Sequence, residues 1–257
     1  MIRTIIIAVF AATSICATAV SADFAFKPKV NRKIQALGGA LMVPGSMKGH
    51  ILIANMQTNV PAAELEGTVR RLVDMTRLDI RFQDVPGSVS SADAGAKARE
   101  LGANAVVFVT SCDKCDVSLL CAPENGWTII NSHAVVKDAP KPVFAAARLR
   151  KELMRGFFTA TGAMSSQYPG TVMGYVGKPS DIDKLVEEIP VDISMRTVEY
   201  LSKMGVTPVQ YTTYQRACEE GWAPAPTNDV QKAIWDKVHE MPTEPIKIKP
   251  EARKVQQ

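Results

Sequence analysis

Residues 105–109 read Ala-Val-Val-Phe-Val, an unbroken apolar run between Asn104 and Thr110. A strand with one solvated face alternates apolar and polar side chains. A run that is apolar on both sides suits a central strand covered on both faces. Working outward, His50-Ile51-Leu52-Ile53-Ala54-Asn55-Met56 reads as a second strand, and Leu78-Asp79-Ile80-Arg81-Phe82 alternates like a strand at the sheet's margin. Pro61 opens a helix over 62–76, where Leu65, Val69, Leu72 and Val73 recur at helical spacing. Ser91 can cap a short helix over 92–101, which Gly102 ends. Leu119-Leu120 and Thr128-Ile129-Ile130-Asn131 flank Pro123-Glu124-Asn125-Gly126, a hairpin pattern. A long helix over 143–161 follows, ended by Gly162. Strands alternating with helices, then a hairpin, predict an α/β (α+β) fold with a mixed sheet and covering helices.

The chain of 257 residues is 46% apolar and 22% charged, which excludes a disordered or fibrous protein. Its 30 basic and 26 acidic residues leave a net charge of +4, too mild for a nucleic-acid footprint. Residues 1–22, MIRTIIIAVFAATSICATAVSA, read as a signal peptide. Arg3 supplies the basic start, 5–12 the apolar stretch and Val20-Ser21-Ala22 the small-residue site. The apolar run is too short to span a bilayer. The expected localisation is therefore exported, periplasmic or extracellular, with no stable membrane span. Residues 23–48 read as a loosely packed lead segment, interrupted by Gly38-Gly39. The α/β core spans 49–176, and a helical C-terminal part spans 177–242, with helices expected over 180–188, 194–204, 209–220 and 228–240. A flexible tail, 243–257, carries Lys247, Lys249, Arg253 and Lys254, expected to be solvated.

Cleavage of the signal would remove Cys16 and leave Cys112, Cys115, Cys121 and Cys218. In an oxidising compartment, four cysteines point to disulfides, and three pairings are open. A bridge to Cys218 would close a long loop and contribute roughly 3–5 kcal/mol in the loop-entropy account. Two alternatives compete. Cys112-Asp113-Lys114-Cys115 fits a thiol-redox motif, and three cysteines with His133 or Cys218 could hold structural zinc.

In the long helix, Leu149, Leu153, Phe157 and Ala160 form an apolar stripe, and Arg148, Glu152, Arg155 and Thr159 a polar one. The simplest expectation is a solvated face with Arg–Glu–Arg pairs. Residues 49–176, by element order and by this helix, resemble the catalytic half of zincin metalloproteases, the metzincin and archaemetzincin type. That resemblance implies a zincin-like core in which two histidines one turn apart bind zinc and an intervening glutamate serves as base. The glutamate position falls on Glu152. The histidine positions fall on Lys151, Arg155 and Thr161, and the motif's glycine on Phe158. The methionine turn falls on Thr171-Val172-Met173-Gly174. Two cations at ligand positions repel a dication. The resemblance therefore implies a degenerate, metal-free relative in which Glu152 is a salt-bridge residue between Arg148 and Arg155.

None of His50, His133 and His239 makes an i, i+4 pair with another. Ser132-His133, read as adjacent in a strand, would point to opposite faces. Trp222 and Trp235 are expected to pin the last helix to the body. The expectation is an exported, non-catalytic binding or structural protein of the cell envelope, without cofactor and with a protein or peptide partner. The rivals are a zinc-dependent peptidase with unconventional ligands and Glu152 as base, and a periplasmic thiol-redox or metal-binding module.

Overall fold

The computed structural model describes residues 32–56, 60, 62–163 and 168–240; the expected signal peptide and tail lie outside them. In chain order the elements are α1 (Arg32–Ala36), β1 (Ala40–Met42), β2 (Ile51–Asn55), α2 (Ala62–Thr76), β3 (Ile80–Asp84), α3 (Ala94–Glu100), β4 (Ala105–Thr110), β5 (Leu119–Ala122) and β6 (Trp127–Asn131). Then come α4 (Ser132–Val136), α5 (Pro142–Ala160), α6 (Val191–Lys203), β7 (Tyr211–Thr213), α7 (Tyr214–Glu219) and α8 (Asp229–Glu240).

Five strands form one sheet in the order β3-β2-β4-β6-β5, parallel except for β5. The apolar run at 105–109 is the middle strand, and every residue of β4 is buried. Its two faces sort by parity, as a pleated strand requires. Ala105, Val107 and Val109 pack with Ile51 and Ile53 under Leu65, Val69, Leu72, Leu149, Leu153 and Phe157 of α2 and α5. Val106 and Phe108 pack with Leu52 and Ala54 under Ala94 and Ala98 of α3. The protein is thus a mixed α/β sandwich with helices on both faces, as the alternation of elements predicts.

Four expectations need correction. The lead segment is not loose where it is described, because β1 pairs antiparallel with β7, and Tyr214 N–H bonds the Gly39 carbonyl at 3.1 Å. The helix expected over 209–220 begins only at Tyr214, because Tyr211-Thr212-Thr213 is drawn into that ribbon. The expected helix over 180–188 is a 3-10 helix, Pro179–Lys184. The chain also turns helical at Ser132 rather than extending the hairpin strand, so Ser132 and His133 lie in α4.

The end of α5 is a tight junction. Gly162 takes φ +82°, and a Cβ there would stand 2.2 Å from Tyr200 Cγ. Tyr200 cannot easily yield, since its hydroxyl donates to the Pro123 carbonyl at 2.6 Å. Gly162→Ala combines a left-handed backbone with overpacking and is expected to cost about 2–3 kcal/mol. A midpoint shift in urea at unchanged slope would verify it. An unshifted midpoint would show that α6 can slide away from α5.

Candidate functional site

Helix α5 turns one side to the sheet, and the opposite side carries the polar stripe. That stripe is not solvated: Arg148 is 1% exposed and Glu152 0%. The chain from 168 to 190 folds over it and supplies partners. A buried charge persists only when paired or well hydrogen-bonded, so each polar group should find a partner.

Each does. Arg148 grips Asp183 with two parallel bonds, Nε to Oδ1 at 2.8 Å and Nη2 to Oδ2 at 2.7 Å. The pairing raises the Arg148 guanidinium pKa and lowers that of Asp183. Lys151 Nζ donates to the carbonyls of Ile182, 3.0 Å, and Asp183, 3.2 Å. Burial pulls its pKa down. Arg155 Nη1 donates to the carbonyls of Val172, 3.2 Å, and Gly174, 2.7 Å. Arg150 and Arg71 both reach Glu187. Five cations of α5 and α2 thereby tie down the irregular segment that follows the long helix.

Glu152 lies at the centre. Its Oε1 accepts from the Ser118 hydroxyl at 2.9 Å, and its Oε2 stands 2.9 Å from Arg155 Nε in a close but poorly aligned ion pair. Burial drives its pKa upward, against Arg155 and Ser118, which favour the charged form. The expected salt bridge to Arg155 is present. The one to Arg148 is not, because Asp183 takes that guanidinium. Thr161, at the third ligand position, is 0% exposed, and its hydroxyl donates to the carbonyls of Phe157, 3.1 Å, and Phe158, 3.0 Å. Met173 is buried in a turn closed by Gly174 N–H on the Thr171 carbonyl, 2.8 Å. The turn thus lies under α5, held there by Arg155.

No protein-family model and no curated protein matches the chain. Its fold is similar to that of three solved proteins, two archaemetzincins and one zinc-dependent peptidase. An archaemetzincin from Methanopyrus kandleri is 15% identical, with a TM-score of 0.47, covering 63% of this chain and 99% of its own. A zinc-dependent peptidase from Methanocorpusculum labreanum is 12% identical, with a TM-score of 0.45, covering 57% of this chain and 99% of its own. An archaemetzincin from Archaeoglobus fulgidus has the same identity and coverages, with a TM-score of 0.43.

The residues present at the motif positions do not fit zinc. Lysine and arginine offer N–H donors and no lone pair to a cation. The Thr161 hydroxyl is spent on its own helix, which leaves Glu152 as the single donor. Among the described residues no group of three His, Cys, Asp or Glu could hold a metal ion.

The four described cysteines are free thiols, and no disulfide forms among them, contrary to expectation. Cys121 pairs across the hairpin with Thr128, three residues before Asn131, so it sits about 10 Å along the strands from the 112–115 loop. Cys218 lies in α7, beside the ribbon attached where β2 and β4 begin, with Asn104 Nδ2 on the Met204 carbonyl at 2.9 Å. The length of β4, about 20 Å, separates that end from Cys112. Disulfides need Cα atoms within about 7 Å.

The histidines are scattered. His50 precedes β2, where burial lowers its pKa; His133 is in α4; His239 stacks on Trp235 at 4.2 Å. Trp222 donates to Glu220 at 2.8 Å. No helix among the described residues is long and apolar enough to cross a membrane. Sequence reasoning missed Ser118, Asp183 and Asn131. Each is polar, and each acts on a group far along the chain.

Proposed function

We propose that this protein is a metal-free, non-hydrolytic protein of zincin-like architecture, exported and acting as a binding or structural component with a protein or peptide partner. One observation carries the reading. The nitrogens at two motif positions, Lys151 Nζ and Arg155 Nη1, are bonded into backbone carbonyls of the segment that covers the helix, and Glu152 between them is fully buried. A general base must reach the water it deprotonates. Glu152 instead faces Ser118 and Arg155. Arg155 ties α5 to the methionine turn, and Lys151 ties it to the segment at 182–183.

The test is metal loading of the purified full chain. After exposure to zinc and dialysis, the retained metal should be substoichiometric. A chelator should leave the unfolding midpoint unchanged, and peptide hydrolysis should stay at the blank rate. One tightly held zinc per chain, with hydrolysis abolished in Glu152→Gln, would establish the peptidase instead.

A further inference from the structure

Cys112 and Cys115 lie just past the C-terminal end of β4, at the two ends of a turn whose corners are Asp113 and Lys114. Such a turn holds its first and fourth Cα atoms within about 7 Å. A disulfide spans Cα separations of about 4.4–6.8 Å. The backbone therefore already has the reach a bridge requires, without moving the sheet.

One side chain fixes this loop. Asn131, 5% exposed at the end of β6, accepts from Cys112 N–H at 2.9 Å. Its amide donates to the carbonyls of Cys112, 2.9 Å, and Cys115, 2.7 Å. Three bonds from a buried amide set both cysteine backbones, and they come from the rigid strand rather than from the loop. Both cysteines are free, and each residue is half-buried. Burial pushes the Cys218 thiol up, and burial with the nearby Glu124 does the same for Cys121.

We propose that Cys112 and Cys115 form a reversible dithiol–disulfide pair that exchanges with an external disulfide. The thiolate of one cysteine attacks a sulfur of the external disulfide. That S–S bond breaks, a mixed disulfide forms, and the departing thiolate takes up a proton. The second cysteine, deprotonated in turn, attacks the protein-side sulfur of the mixed disulfide. The Cys112–Cys115 bond closes, and the other half of the external disulfide leaves as a thiol. The protein has lost two electrons and two protons, and the external disulfide has gained them. The reverse sequence, fed by a small dithiol, restores the reduced pair. This activity does not depend on Glu152 or on the metal-free reading.

The experiment equilibrates the reduced full chain in glutathione buffers of graded poise, followed by acid quench, alkylation and peptide mapping. The expected result is the joint loss of two alkylatable thiols, a single Cys112–Cys115 linked peptide, and full reversal by dithiothreitol. The chain with Cys121→Ser and Cys218→Ser should keep the transition. Cys115→Ser should instead accumulate a glutathione adduct on Cys112. Acceleration of dithiothreitol-driven insulin precipitation, lost in Cys112→Ser, would identify protein disulfides as substrates. Exchange with glutathione alone would identify small ones. The proposal is overturned if Cys112 and Cys115 stay alkylatable at every poise, or if they pair with Cys121, Cys218 or a second chain. Peptide mapping of the unaltered chain decides this even where a variant fails to fold.

Discussion

Replacing Asp183 by alanine is expected to cost about 3–5 kcal/mol, the range for stripping one partner from a buried ion pair. The Arg148 side chain is 2% exposed, and Asp183 provides both of its short bonds. What remains is the Val135 carbonyl, at a long 3.4 Å. The guanidinium cannot shed its charge by deprotonating, so it must stay buried unpaired or drag α5 away from its cover. The loss also has a pH signature. Arg148 holds the folded Asp183 carboxyl below its ordinary value near ~3.9. Its contribution is thus present above that value and fades as pH falls through the lowered one. Urea unfolding at pH 7 should show the full difference between wild type and variant, and unfolding at strongly acidic pH much less. A loss below about 1 kcal/mol at pH 7 would mean that water, not Asp183, serves Arg148. The exposed Lys203–Glu199 pair, with 68% and 70% of its side chains in solvent, is the natural control and should show no comparable effect.

What the sequence disclosed and what it hid divide along contact range. The 105–109 run and the 62–76 periodicity are local patterns, and both elements fall where those patterns place them. The ribbon of Ala40–Met42 with Tyr211–Thr213 joins segments that share no local pattern, and three residues are too short a strand to show alternation. The polar side of α5 is the instructive failure. Amphipathicity tells which side of a helix avoids the sheet, but not whether a later segment returns to cover it. Asp183 lies thirty-five residues from Arg148, and nothing near it in sequence marks it as the partner. Lys151 and Arg155 bind backbone carbonyls, which every residue owns, so no side-chain motif could announce them. For the same reason the three bonds from Asn131 to the cysteine turn were invisible, although the two cysteines were plain to see.

Arg155→Met should lose about 3–5 kcal/mol at pH 8, because Glu152 would then be a buried carboxylate with only the Ser118 hydroxyl beside it. Unlike Arg148, the orphan here has an escape, which is to take up a proton. Burial already raises the Glu152 pKa in the wild type, and Arg155 foremost opposes that rise. Removing Arg155 lifts the pKa further. Between the ordinary glutamate value, near ~4.3, and the raised one, the folded state binds a proton that the unfolded chain does not. Stability must then fall as pH rises across that window, by up to about 1.4 kcal/mol per pH unit. The variant should be closest to wild type near the acidic end and furthest from it at pH 8. Adding Glu152→Gln to Arg155→Met should abolish this pH dependence, since the amide has no proton to exchange. What survives in the double variant is a pH-independent cost, and it measures the lost bonds to the carbonyls of Val172 and Gly174 that hold the methionine turn. Unfolding curves collected from pH 5 to pH 8 separate the two contributions. A difference between Arg155→Met and wild type that stays flat across the series would show that Arg155 acts on the turn alone. Glu152 would then be balanced by something other than its helical neighbour, and the reading of this carboxylate as half of a structural ion pair would fail.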